Sequence, residues 1–267
     1  MKKDVVNNDN SDDNEVKEKE EDFQYPTNVE KLDIVELATT KEFIPRGWET
    51  VFEQCEEEFD SISEIIESDE KKNGKCFPLR CNIFRIFHMC SPDKVKVLII
   101  GQDPYHNRCS TGDPAATGVA FSTWIDEKKQ PSVMNIHKVV KDCYPNFVDP
   151  GHGNLDKWVE EEGVFLMNTS HTVAPGKPDS HSEIWMGFSS KVVKHLVELK
   201  GKKLIVMLWG KKAQRLVGKL VSSATILETS HPSPYSAKHG FLESKIFKNA
   251  NDILDKFGIE QVNWCNL

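Results

Sequence analysis

The stretch VKVLIIGQDPYH, residues 95–106, decides the reading of this chain. Six apolar residues, Val95–Ile100, are too few for a membrane helix and too continuous for a half-exposed strand, so they fit a strand buried on both faces. A glycine, two polar side chains and a proline end that run abruptly. Three further apolar runs have the same character: Val164–Met167, Leu204–Leu208 and Thr225–Leu227. Between and after them lie segments with apolar residues at helical spacing: Val133–Val140, Leu155–Val159, Phe188–Leu199, Ala213–Val221 and Phe241–Phe257. Strands alternating with helices predict an α/β fold: a single domain with a central four-stranded parallel sheet flanked by helices on both faces. Upstream, the spacing predicts one helix over Thr50–Ile66, a charged loop over Ser68–Lys75 and a second helix over Leu79–Met89.

Composition narrows the function classes. Of 267 residues, 38% are hydrophobic, enough for a core. No apolar run approaches the ~20 residues that span a bilayer, so no membrane role is expected. The N-terminus has neither the apolar segment of a secretory signal nor the acid-poor character of a mitochondrial presequence, and an intracellular protein is expected. The net charge of −8 divides unevenly: residues 1–70 carry 23 acidic and 7 basic side chains, net −16, and the remainder is +8. A basic body permits a polyanionic partner. Residues 1–28 read as an acidic disordered tail, because the first 25 or so show no apolar periodicity. Seven scattered cysteines with no Cys-x-x-Cys pair argue against a disulfide framework and for a reducing compartment. Cys76, Cys81, Cys90 and Cys109 leave an iron–sulfur cluster as an alternative. There is no Gly-x-Gly-x-x-Gly, no phosphate-binding glycine loop and no helical pairing of His152 or His181 with a second ligand, so neither a nucleotide cofactor nor a metal is expected.

In an open parallel sheet, ligands bind outside the carboxyl ends of the strands. Those ends lead here into Gly101–His106, into Asn168-Thr169-Ser170-His171, into Trp209-Gly210-Lys211-Lys212, and through Glu228 and Thr229 into Ser230–Ser236. Polar and titratable groups therefore converge on one rim. The basic pair Lys211-Lys212 opens a predicted helix, where the helix dipole disfavours cations unless an anion sits there.

GQDPYH (101–106), GVAFS (118–122), FLMNTSHTV (165–173), LWG (208–210) and HPSPYSA (231–237) resemble, in order and spacing, the motifs of the uracil-DNA glycosylases. The resemblance runs from about Trp48 to the Val-Asn-Trp near the C-terminus and implies that residues 29–267 form the catalytic domain. It implies a DNA-repair enzyme that hydrolyses the N-glycosidic bond of uracil after base flipping, leaving an abasic site, without metal or cofactor. By the same resemblance Asp103 positions the attacking water and stabilises the cationic sugar, and His231 donates to uracil O2 as charge develops there. A backbone N–H near Gln102 assists at that oxygen. Phe121 stacks on the flipped ring, the amide of Asn168 matches uracil O4 and N3–H, and Tyr105 lies against C5, where thymine carries a methyl. Ser132, Gly210, Lys211, Ser233 and Ser236 are expected at DNA phosphates. The expected partner is uracil-containing DNA, single- or double-stranded, met by a monomer; the sequence names no protein partner, and it does not decide between the nucleus and another site of DNA replication. A non-catalytic DNA-binding protein that kept the fold, and a related glycosylase carrying the iron–sulfur cluster, stand as alternatives.

The chain also departs from the family pattern. Residues 107–118 are about five longer than usual, and the proline-rich phosphate loop shrinks to Lys129-Gln130-Pro131-Ser132. Lys211 stands where a serine is usual, and the segment 180–189 keeps Trp185 but not its usual flanks. Tyr235 takes the place of the leucine that wedges into the duplex.

Overall fold

The computed structural model describes residues 24 and 26–267. Four strands, β1 (Val97–Gly101), β2 (Val164–Asn168), β3 (Ile205–Trp209) and β4 (Thr225–Thr229), form one sheet in the order β2-β1-β3-β4. Every pairing is parallel. All five residues of β1 and of β3 are buried, as continuous apolar sequence in a two-sided sheet requires. The edge strand β4 is half-buried.

Each strand runs one or two residues further toward its carboxyl end than its apolar run, because the ladder continues through the polar residues Asn168, Glu228 and Thr229. Val95 lies outside β1, where its N–H closes a turn on Pro92.

The helices are α1 (Ile34–Thr39), α2 (Glu49–Glu53), α3 (Glu56–Asn73), α4 (Arg85–Met89), α5 (Pro131–Cys143), α6 (Asp156–Glu160), α7 (Met186–Lys200), α8 (Lys211–Val217) and α9 (Ile246–Lys256). Side chains alternate faces along a strand, so Phe165 and Trp209 identify the two covers. Phe165 stacks on Trp48 at 5.1 Å and meets Phe87 of α4 at 5.5 Å. The row Gly101–Asn168, which is also the row of Trp209, faces the other way. Trp209 packs on Phe241 and on Phe247 of α9, and Phe247 continues to Trp264 and Trp158. Among the described residues no helix is long and apolar enough to cross a membrane.

Several expectations need correction. The helix foreseen over 50–66 is two helices, broken at Gln54-Cys55. The charged loop foreseen over 68–75 is instead the last turn and a half of α3. It stays helical to Asn73 because Asn73 Nδ2 donates to Asp69 Oδ1 at 2.6 Å and Glu70 is held by Arg80, Lys75 and the N–H of Cys76. The helix foreseen over 79–89 is a single 3-10 turn, Arg80–Asn82, followed by α4. Gly218 and Lys245, the latter with φ +49°, mark the true end of α8 and start of α9. The acidic tail falls almost wholly outside the described residues; within its boundary, Pro26 already accepts from the N–H of Val29. The chain from Val29 through α1 is ordered and contributes Ile34, Leu37 and Ala38 to the core. An Asp33–Glu36 capping box starts that helix.

Candidate active site

The chain leaves β1 toward β2 on one side, while β3 and β4 lie on the other. The gap between the carboxyl ends of β1 and β3 is therefore the topological switch point, where ligands bind in open α/β sheets. A cavity of about 440 Å³ opens there, within the usual range for small-molecule sites. Gln102, Asp103, Tyr105, Phe121, Ser132, Asn168, His231 and Ser233 all line it. Residues from 102 to 233 in sequence are thus gathered in one hollow.

Glycines make the gathering possible at two points. A Cβ on Gly101 would lie 2.1 Å from Asn168 Oδ1, so only glycine lets the Asn168 side chain fold across the end of β1. Gly118 has φ +84°, and a Cβ there would lie 2.0 Å from the carbonyl of Asn82. That tight approach seats the 118–122 segment against the 3-10 turn after Leu79. Arg85 and Asp156 clamp the same segment: Arg85 pairs with Asp156 at 2.7 Å, and Ser122 Oγ donates to Asp156 at 3.2 Å.

The consequence is a strained Phe121. It has φ +65°, a left-handed conformation rarely adopted by a bulky residue and found mostly at functional sites. Its carbonyl accepts from Tyr105 Oη at 3.0 Å, and its ring stands 5.2 Å from Trp209 and 5.8 Å from His231. Burial pushes the Tyr105 phenol up, so it stays a neutral donor. The Asn168 amide makes no hydrogen bond to another described residue, which leaves its donor and acceptor free toward the cavity.

His231 is held in a defined state. Its Nδ1 accepts from the Ser233 backbone N–H at 3.0 Å, and burial holds its pKa below the usual histidine range. An Nδ1 that accepts carries no hydrogen, so the neutral ring bears its proton on Nε2. The loop carrying it is anchored from α5, where Asn135 Nδ2 donates to the Pro232 carbonyl at 2.7 Å.

Asp103 is half-buried, and burial raises its carboxyl pKa, with the nearby Asp179 charge adding to the effect. Its Oδ2 accepts from the backbone N–H of Asp179 at 2.9 Å. The loop after β2 is stitched to the loop after β1 by Thr169 Oγ1 and Ser170 N–H, both donating to the Gln102 carbonyl.

The remaining candidates stand around the mouth. Gly210 (φ +93°) abuts His231, whose Cβ would lie 2.9 Å from any Cβ placed on it. Ser236 donates its N–H to the Ser233 carbonyl, Lys211 is exposed, and Tyr235 is 90% exposed. These four do not line the cavity. The long 107–118 segment folds as a small hairpin: Cys109 N–H bonds the Asp113 carbonyl, and Trp124 Nε1 bonds the Pro114 carbonyl.

Sequence reading missed Asp179 and Lys212. Asp179 lies in Lys177-Pro178-Asp179-Ser180, where no periodicity or motif singles it out; Lys212 was noted only as half of a basic pair. Among the described residues no three His, Cys, Asp or Glu side chains are placed to hold a metal ion, so the four cysteines considered for a cluster do not form one.

Comparison with known proteins agrees with this geometry. Residues 87–255 match the model of the Uracil DNA glycosylase superfamily. A uracil-DNA glycosylase of Blochmanniella floridana is 40% identical over 210 residues, covering 77% of this chain and 91% of its own. One from Borreliella burgdorferi is 40% identical over 226 residues, covering 83% and 98%. The crystal structure of mimivirus uracil-DNA glycosylase superposes with a TM-score of 0.79 at 24% identity, covering 86% of this chain and 88% of that one. The fold, the sequence relatives and the placement of the cavity agree: this chain belongs to the uracil-DNA glycosylase superfamily, and it is a DNA-repair hydrolase that excises uracil from DNA.

Proposed function

We propose that Asp103 and His231 carry the hydrolysis and that the other cavity residues select the base. One observation supports this most directly: two groups of opposite task line one cavity, a carboxylate and a neutral imidazole whose proton sits on Nε2. As the glycosidic bond stretches, the sugar becomes cationic and the uracil ring anionic. The Nε2–H of His231 donates to uracil O2 as charge builds there, an oxyanion-hole contribution. Asp103 stabilises the sugar cation and orients a water toward C1′; its raised pKa makes it a better acceptor of the water proton. Water oxygen bonds to C1′ as its proton passes to Asp103, the C1′–N1 bond breaks, and uracil leaves as an anion with the bonding pair.

Gln102 offers its backbone at O2. Phe121 stacks on the extruded ring, Asn168 pairs with O4 and N3–H, and Tyr105 occupies the space a thymine methyl needs. Ser132, Ser233, Ser236, Gly210 and Lys211 hold phosphates, and Tyr235 enters the base stack as the nucleotide leaves. The substrate is uracil in single- or double-stranded DNA. The active form is a monomer. Residues 29–267 are the catalytic domain. All seven cysteines are free thiols, which suits a reducing, intracellular location.

Uracil release from labelled oligonucleotides tests the assignment. Asp103→Asn and His231→Leu are each expected to lose roughly 10²–10³-fold in kcat, about 2.7–4 kcal/mol, with unchanged Tm and DNA binding. Near-native turnover by either variant overturns it. Tyr105→Ala is expected to admit thymine and Asn168→Asp to shift preference toward cytosine; strict uracil specificity in both would mean the pocket is assigned to the wrong residues.

A further inference from the structure

Asp179 has a left-handed backbone, φ +70°, in a chain where only three non-glycine residues among those described have positive φ. That conformation aims its N–H at Asp103 Oδ2, 2.9 Å away. The Asp179 carboxylate is gripped on several sides. Ser182 Oγ donates to Oδ1 at 2.5 Å, and Lys212, at the start of α8, pairs with both oxygens. Both ends of the Lys212–Asp179 pair are about half exposed. Exposed pairs of this kind contribute little to global stability, yet this one sits directly behind the candidate catalytic carboxylate.

We propose that the Asp179–Lys212 pair is a positioning device for Asp103: Lys212 fixes Asp179 in the left-handed turn that presents its N–H to Asp103, and neutralises a carboxylate that would otherwise repel the Asp103 anion. Two carboxylates on one hydrogen-bonded turn favour protonation of one of them, and a protonated Asp103 cannot stabilise a sugar cation. The charged and titratable groups facing Asp103 are His106 from its own loop, Asp179 from the loop after β2, Lys212 from α8 and, across the cavity, His231 from the loop after β4. The Asp179 N–H lowers the Asp103 pKa and the Asp179 carboxylate raises it, while Lys212 lowers it, so the two charged side chains act on one group with opposite sign. The inference rests on Asp103 being the catalytic carboxylate.

The test is the pH profile of kcat/KM for uracil release by Lys212→Met, Asp179→Asn, Asp179→Gly, Lys212→Arg and, as a control, Asp103→Asn. Lys212→Met is expected to move the acid limb up by about one pH unit and Asp179→Asn to move it down. Asp179→Gly, which keeps the left-handed turn without the carboxylate, should follow Asp179→Asn and remain testable if another variant folds poorly. Lys212→Met should lower kcat about tenfold with little change in KM, and Lys212→Arg should restore most of it. Acid limbs that coincide with the native one, or move in the same direction, overturn the proposal. So does a loss by Lys212→Met confined to KM, which would mark that lysine as a phosphate contact. If Asp103→Asn keeps native turnover, the failure lies with the assignment of Asp103 rather than with the pair.

Discussion

The phenylalanine-rich layer over Phe165 and the loops at the carboxyl ends of the same strands are built under opposite constraints. In the layer, Trp48, Phe52, Phe84, Phe87, Trp185 and Phe188 are almost fully buried, and their rings meet edge to face at 5–6 Å. At the rim the backbone is forced: Phe121 and Asp179 are left-handed, and Gly101 and Gly118 sit where a methyl would collide with a polar oxygen. Buried aromatic area stabilises the molecule, whereas the rim spends part of that stability holding polar groups in one arrangement. Stability and activity should therefore separate on mutation.

The largest effect belongs to the layer. Phe87→Ala, which removes a ring touching Trp48, Phe52 and Phe165, is expected to lose about 3–5 kcal/mol of unfolding free energy. Its kcat per folded molecule should stay native; urea unfolding with active-site titration checks both. A comparable loss of kcat would show that the layer and the rim are mechanically coupled. The rim counterpart is Gly101→Ala. Its methyl competes with the Asn168 amide for one position, and kcat/KM should fall on the order of 10²-fold while Tm changes by only a few degrees.

Acid sharpens the contrast. Burial lowers His171, within the aromatic layer, to about 3 and His137, on the buried face of α5, to about 4. Each is neutral when folded and takes up a proton when unfolded, near pH 6.5. Above that pH neither changes the stability; below it the unfolded state binds protons the folded state refuses, and stability falls, for His137 by roughly 3 kcal/mol once the pH is below about 4. Asp103, its pKa raised, shifts stability the other way over its own range. Urea midpoints at pH 7.5 and 4.5 should differ clearly, and His137→Phe should narrow the gap. An unchanged gap would remove His137 from the account.

The smallest effect concerns Tyr235, which at 90% exposure supports nothing in the free protein. Tyr235→Ala should leave Tm and single-strand cleavage near native and lower the duplex-to-single-strand ratio of kcat/KM about tenfold, since only a duplex must be unstacked. Tyr235→Leu should keep most of the duplex activity. Equal losses on both substrates would exclude a wedge.

The sheet was legible because strands buried on both faces cannot alternate, so Val95–Ile100 and Leu204–Leu208 stand out as continuous apolar runs. The cavity was legible because contiguous residues at strand ends, GQDPYH and HPSP, supply most of its chemistry. What stayed hidden was set by distant partners. Residues 68–73 look like a loop until Arg80 and the N–H of Cys76 claim Glu70. Asp179 looks like any turn aspartate until its N–H is found on a carboxylate 76 positions earlier. Nor does an apolar run say which neighbour it pairs with, and the order β2-β1-β3-β4 had to be seen.

That strand order bears on how the molecule is made. Asp103 follows β1, in the interior of the sheet, while His231 follows β4, the half-buried edge strand and the last to leave the ribosome. Parallel pairing between distant segments is slow, because long loops must close before any contact rewards them. A chain that has paired β1, β2 and β3 but not docked β4 has most of its buried sheet and no imidazole in the cavity. Enzymatic activity should thus be the last signal to recover on refolding, trailing tryptophan burial and far-ultraviolet ellipticity. The nascent protein remains catalytically silent until β4 and the loop behind it have been docked against β3.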